Sequence, residues 1–224
     1  MNKIVAIVDC ALGTLVKDPD DALALHYLLT DKNTEIVGII TTFGNVSENT
    51  SFWSVNQILR RLNYTKISVI HGPRSRNDIR RSIDAARFIF EGLNENKNEV
   101  TILNLGPLTL LATLLNKYPN SSKLWKKLII MGSLGNSKHK FYPLIKEEFN
   151  FSKDPEAVNT VLELTNPILV TYAQTSKVIF GKKEIMTYPT WMRAHLFVWY
   201  FLNRLVGSKG FSPHDLIAAQ IANR

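Results

Sequence analysis

The stretch KIVAIVDCALGTLVKDPDDALALHYLL, Lys3 to Leu29, decides the fold. Its opening run, Lys3 to Asp9, is apolar at successive positions and rich in Val and Ile. A strand buried on both faces reads this way, because neither face needs polar residues. From Asp20 onward the apolar residues fall at i, i+3 and i+4 spacing, the signature of a helix. The turn between the two carries four aspartates, Asp9, Asp18, Asp20 and Asp21. So much negative charge at one strand-to-helix turn calls for a physical reason.

The same alternation repeats along the chain. Further strand candidates are Glu35 to Phe43, Lys66 to Gly72, Glu99 to Gly106, Lys127 to Ser133 and Pro167 to Tyr172. Helix-period stretches lie between them, and the last part, from Trp191 to Gly207 and from Ser212 to Arg224, is helical in character. Strand-helix alternation predicts an α/β fold: an open, mostly parallel sheet with helices on both faces and right-handed crossovers. No repeat or Gly/Ser linker divides the chain, so one domain is expected over residues 1–224. Ligands of such sheets bind beyond the carboxyl ends of the strands. The residues there are Asp9; Thr42, Gly44 and Asn45; His71 and Gly72; Asn104 and Thr109; Met131 and Gly132.

Composition narrows the function. The chain has 224 residues, 45% of them apolar and 21% charged, with a net charge of +8. Such a charge raises the question of nucleic acid. The basic residues are scattered, however (Arg60-Arg61, Arg74 to Arg81, Lys123 to Lys127, Lys182-Lys183), and form no stripe. A solvated basic surface is the better reading. A single cysteine, Cys10, excludes an intrachain disulfide and fits a reducing compartment. The N-terminus lacks the apolar length of a signal peptide, and the run Leu196 to Leu202 is too short to span a bilayer. The cytoplasm is the expected location.

Asp20 and Asp21 have a bland explanation, since carboxylates are favoured at a helix N-terminus. That leaves Asp9 and Asp18 converging on the same point. Crowded carboxylates repel and resist ionising; a hard divalent cation, calcium or magnesium, removes the conflict and takes oxygen ligands. His214-Asp215 opens the last helix and admits two readings. Either Ser212 caps that helix and Asp215 is its third residue, or Asp215 adds a late carboxylate to the cation and His214 faces a ligand. Asn136, Glu148 and Asn150 follow the fifth strand, and together they donate and accept as vicinal hydroxyls require. DPEA, Asp154 to Ala157, reads as a helix cap with Pro at the first helical position.

In order along the chain, these motifs resemble the inosine–uridine nucleoside hydrolases. Asp9 to Gly13 followed by Asp20-Asp21-Ala22-Leu23-Ala24-Leu25 is similar to that family's D-x-D-x-G…D-D-A-x-A-L turn. ITTFGN (Ile40 to Asn45), LNLGPLTLLA (Leu103 to Ala112), IIMGSLGN, EFNFSKDPEA and PHDLIAA resemble its other segments. The resemblance implies a Rossmann-like nucleoside hydrolase core and hydrolysis of the N-glycosidic bond of ribonucleosides with bound calcium (Ca2+). It implies Asp21, Asp215 and the Thr109 carbonyl as calcium ligands, with Asp9 beside them. Asp20, Glu148 and Asn150 would bind the ribose hydroxyls, with Asn45, Met131 and Asn136 nearby, and His214 would lie near the leaving base.

The match departs from the family in one place that matters most. The second aspartate of D-x-D both ligates calcium and serves as general base, and here it is Ala11. The loop from Gly13 to Asp20 is longer and carries Asp18, which is the candidate to replace the missing carboxylate. Ser133 and Leu110 also differ from the family pattern. The chain stops soon after its His-Asp helix, which reads as a C-terminal truncation that favours a homo-oligomer, a dimer or tetramer. Three readings remain open: an active hydrolase using Asp18, an impaired homologue that binds nucleoside or ribose, and a basic nucleic-acid-associated protein on the same scaffold.

Overall fold

The computed structural model of the chain describes residues 1–134 and 148–224. In chain order the elements are β1 (Asn2–Val8), α1 (Asp20–Thr30), β2 (Thr34–Thr41), α2 (Glu48–Arg61), β3 (Val69–His71), α3 (Ile79–Glu95), β4 (Val100–Asn104) and α4 (Thr109–Lys117). There follow β5 (Lys127–Met131), α5 (Phe149–Lys153), α6 (Pro155–Leu164), β6 (Ile168–Val170), α7 (Tyr172–Thr175), α8 (Lys182–Ile185), α9 (Thr190–Leu205) and α10 (His214–Ala222). A 3-10 turn, Pro119–Lys123, precedes β5.

The six strands form one sheet in the order β3-β2-β1-β4-β5-β6, and every neighbouring pair is parallel. Chain progress therefore runs outward from β1 to β3 on one side and from β4 to β6 on the other. The direction reverses between β1 and β4, where a doubly wound sheet opens a crevice. The outer strands β3 and β6 have one neighbour each and shrink to three residues, shorter than the sequence runs.

Burial explains why β1 reads as an unbroken apolar run. Its side chains alternate between faces. Ile4, Ala6 and Val8 pack with α1, α2, α9 and α10, whereas Val5 and Ile7 pack with α3, α4 and α6. All five are fully buried. Burying each Ile or Val this way stabilises by roughly 1.5–3 kcal/mol. Among the described residues no helix is long and apolar enough to cross a membrane.

Several local expectations are refined. The DPEA segment is a cap: the Asp154 carboxylate accepts the Ala157 N–H at 3.2 Å, with Pro155 at the start of α6. Ser212 is not a cap; α10 begins at His214 behind Pro213, and Asp215 is its second residue. Nor do Asp20 and Asp21 cap α1, which starts behind Pro19 without a side-chain cap. The short helices α5, α7 and α8 carry too little apolar periodicity to read from sequence.

Gly72 closes β3 against β2. A Cβ there would stand 2.4 Å from the Thr41 carbonyl oxygen, a backbone atom that cannot swing away. Gly72→Ala is expected to destabilise the fold by ~1–3 kcal/mol, read as a lower midpoint in urea denaturation with an unchanged slope.

Candidate active site

A cavity of ≈ 300 Å³ opens beyond the carboxyl ends of the strands, over the boundary between β1 and β4. Its floor is acidic. Asp9, Asp18, Asp20, Asp21 and Asp215 all line it, joined on the rim by Glu148. Asp9 directly follows β1, Asp20 and Asp21 open α1, and Asp215 comes from the opposite end of the chain at the start of α10.

The packing of α1 against α10 brings these distant groups together. The Asp215 N–H donates to Asp20 Oδ2 at 3.2 Å. One carboxylate oxygen from each of Asp20, Asp21 and Asp215 lies within 4.8 Å of the others. Asp9 sits beside them, its own N–H donating to Asp21 Oδ1 at 3.2 Å. Asp9 Oδ2 accepts the Asn45 N–H at 2.8 Å. Gly44 makes that approach possible: it has φ +153°, and any Cβ would overlap Asp9 Oδ2 at 1.8 Å.

None of the five aspartates forms an ion pair with Lys, Arg or His among the described residues. Burial pushes the Asp9 carboxyl up to about 7, against the pull of the Asn45 N–H. Asp21 and Asp215 are held well above the usual carboxylate range by burial, then by the neighbouring aspartates. Glu148 is pushed up to about 7, again mainly by burial. Carboxylates in this state favour a proton or a cation. The donor set, oxygens only and clustered from three buried aspartates, fits a hard divalent cation.

Asp18 enters from the longer turn. Its Oδ1 accepts the Asp20 N–H at 3.2 Å, and its carbonyl accepts the Asn45 side-chain amide at 2.7 Å. Burial and the adjacent Asp20 raise its proton affinity well above that of an ordinary aspartate. Ala11, by contrast, is fully buried and lies outside the cavity lining.

Across the floor, Asn150 and Met131 line the wall below Glu148. The Asn150 amide donates to the Leu105 carbonyl at 2.9 Å and to the Met131 carbonyl at 3.2 Å. Glu148 caps α5, accepting the Phe151 N–H at 2.9 Å. His214 stacks on Tyr172, ring centroids 4.9 Å apart, with Nδ1 2.6 Å from Thr175 Oγ1. Tyr172, Ile179, Trp199 and Phe149 give the outer part of the cavity an apolar lining.

The structure brings together Asp9, Asp18, Asp20, Asp21, Asn45, Met131, Glu148, Asn150, His214 and Asp215. It does not bring Thr109 to them. Thr109 opens α4, where its hydroxyl donates to Asp154 at 2.6 Å and its carbonyl accepts the Thr113 hydroxyl at 2.9 Å. A carbonyl inside a helix points along the axis, so it is spent there. Leu105, four residues earlier, lines the cavity instead. Asn136 lies outside the described residues. Tyr172 was legible: the strand-end rule applied to the sixth strand points to it. The Gly72 to Ser82 loop does not line this cavity, whereas Trp199 of α9 does.

Comparison with known proteins agrees with this geometry. The family model "Inosine-uridine preferring nucleoside hydrolase" matches residues 6–224. The pyrimidine-specific ribonucleoside hydrolase RihA of Escherichia coli is 28% identical over 73% of this chain and 58% of its own length. Uridine nucleosidase 1 of Arabidopsis thaliana is 28% identical over 63% of this chain and 49% of its own. The chain thus spans about half the length of these curated relatives. Among solved structures, a plant nucleoside hydrolase superposes with a TM-score of 0.84 at 19% identity, covering 99% of this chain and 78% of that one. A purine-preferring ribonucleoside hydrolase from Gardnerella vaginalis gives 0.85 at 18% identity, covering 99% and 79%. With a family model spanning nearly the whole chain and a doubly wound fold to match, this protein belongs to the inosine-uridine preferring nucleoside hydrolase family.

Proposed function

We propose that the protein hydrolyses the N-glycosidic bond of ribonucleosides, releasing free base and ribose, with Asp18 as the general base. The observation that carries this reading is the position of the Asp18 carboxylate in the acidic cavity, beside Asp20, in a chain where Ala11 has no carboxylate to offer. Family membership supports the reaction class.

Calcium is the cation proposed for Asp20, Asp21 and Asp215, with Asp9 adjoining; when bound it offsets their charge and activates water for attack. Asp18 would accept the proton of the attacking water. A carboxylate whose proton affinity is raised by burial and by a neighbouring carboxylate is a better base than an exposed aspartate. Glu148 and Asn150 grip ribose hydroxyls, and Asn45 fixes both Asp9 and Asp18 through its backbone and side-chain amides. Those hydroxyl contacts gain strength as positive charge develops on the sugar, which is where binding accelerates reaction. His214, oriented by Tyr172 and Thr175, supplies a proton to the departing base. The apolar wall of Tyr172, Ile179 and Trp199 suits a flat heteroaromatic ring. A cavity of ≈ 300 Å³ is at the lower end of the ~300–1,000 Å³ of small-molecule sites.

Ala11 supports a second reading, in which the cavity binds nucleoside or ribose without turning it over. Asp18→Asn separates the two. Under the proposal it lowers kcat for a nucleoside panel by about 10²-fold or more, measured as released reducing sugar, while ribose still raises the melting temperature. If wild type and Asp18→Asn are equally inactive and both are stabilised by ribose, the binding reading replaces the enzymatic one.

The raised carboxylates fix the sign of a stability profile. Asp9 and Glu148 titrate near 7 in the folded protein and near 3.9 and 4.3 unfolded, to judge from typical model peptides at about those values. Between those limits the unfolded chain holds fewer protons than the folded one, so the metal-free protein loses stability as pH rises. After chelation, melting should be higher at pH 5 than at pH 8, and millimolar calcium should close the gap at pH 8. A chelated protein that melts higher at pH 8 would contradict the electrostatics of the site.

A further inference from the structure

Among the buried polar side chains that the chemistry above does not use, one grips the acidic turn from behind. His195 on α9 is 4% exposed, and its two ring nitrogens reach both ends of the longer loop. The Gly13 N–H donates to Nδ1 at 3.2 Å. Nε2 lies 2.9 Å from the Lys17 carbonyl oxygen. A backbone N–H can only donate, so Nδ1 must present its lone pair. A carbonyl can only accept, so Nε2 must carry the hydrogen. The surroundings therefore specify the neutral Nε2–H tautomer; an imidazolium would set one N–H against another. Burial also lowers the proton affinity of this ring, in keeping with a neutral imidazole.

The loop needs such a clamp. Leu15 and Val16 are 56% and 62% exposed, so the tip gains little from packing. Val16 has φ +66°, a left-handed conformation that a β-branched residue adopts only at a cost in strain. Inside the loop, two turn bonds, Thr14 N–H to the Ala11 carbonyl and Lys17 N–H to the Thr14 carbonyl, hold its shape but do not attach it to the body of the protein. The attachments next to Asp18 come on successive carbonyls: Lys17 to His195, and Asp18 to the Asn45 side chain.

We propose that His195 is a positioning residue, a neutral two-ended clamp that holds the turn in the one conformation that presents Asp18 to the cavity. This rests on the reading of Asp18 as general base. A shift of about 1 Å in a reacting group can cost up to ~10²-fold in rate, so loss of the clamp should act on turnover rather than on substrate affinity. His195→Leu keeps the apolar bulk and removes both bonds. His195→Gln restores one acceptor and one donor on a planar amide.

The test compares the two variants with wild type. His195→Leu is expected to lower kcat at least tenfold with KM within about threefold, and His195→Gln to recover kcat to within about threefold of wild type. Deuterium uptake at residues 13–18 should rise in the Leu variant and stay near wild type in the Gln variant. A Leu variant with wild-type kcat, or a Gln variant as impaired as Leu, overturns the clamp. Long-range proton–nitrogen spectra of histidine-labelled wild type provide a readout that needs neither variant nor turnover. His195 should appear as the Nε2–H tautomer at neutral pH, and an Nδ1–H or doubly protonated ring overturns the proposal. Were wild type to show no turnover, the proposed function would fail while the tautomer and exchange measurements still judged the clamp.

Discussion

The structure turns on buried negative charge at the carboxyl end of β1. Five aspartates reach one cavity, and none has a cationic side chain paired with it among the described residues. The fold offers some relief, because α1 and α10 both point their N-termini at the site, with Asp20, Asp21 and Asp215 in their first turns. A helix N-terminus counts as roughly half a positive charge. Two of them supply about one unit against as many as five negative ones, a shortfall that protons or a divalent cation would make up. That shortfall ties the site to its chemistry.

Another buried carboxylate in the same molecule shows what compensation looks like. Glu48, in the first turn of α2, is 1% exposed. It accepts hydrogen bonds from Thr41 Oγ1 at 2.6 Å and Arg81 at 2.6 Å, and its Oε1 lies 2.7 Å from His71 Nδ1. His71 in turn stacks on Phe52 at 3.7 Å between centroids. Both carboxylate oxygens have internal partners, which makes this carboxylate a joint between α2, β3 and α3 rather than a reactive group. The polar residue at the end of β3 is thus absorbed by structure, while Asp9 after β1, Asn45 after β2 and Tyr172 after β6 reach the cavity. The strand-end rule finds the correct edge of the sheet but cannot tell these two fates apart.

Sequence carried the architecture because it depends on local patterns. The unbroken apolar runs of β1, β2, β4 and β5 record burial on two faces, and the helical periods between them fix the alternation. Most of the acidic site was also legible, since Asp9, Asp18, Asp20 and Asp21 lie within 13 consecutive positions. What escaped depends on contacts without a local signature. Nothing near His195 announces that its ring will meet Gly13 and Lys17, some 180 residues away. The resemblance implied the Thr109 carbonyl, and no local pattern sets it apart from the Leu105 carbonyl. Only the start of α4 decides between them, turning one into the helix and leaving the other beside the cavity. The glycine at position 44 is a subtler case: its need comes from the approach of Asp9, not from the turn alone.

On the proposed reading, in which Asp18 serves where position 11 has no carboxylate, the turn itself carries a structural cost. A carboxylate at position 11 would have sat next to a strand end that the sheet already fixes. Asp18 instead sits beyond a loop with an exposed tip and a strained Val16. Rigidity lost in the sheet must then be restored by side chains, and the adjoining carbonyls of Lys17 and Asp18 are held from two different elements, α9 and the segment after β2. Each grip uses a neutral polar group. A charged one would have added to an electrostatic imbalance that the cavity already carries, or neutralised it and removed the demand for a cation. Neutral anchors fix the backbone and leave the field of the carboxylates intact, as the proposed cation and base would require.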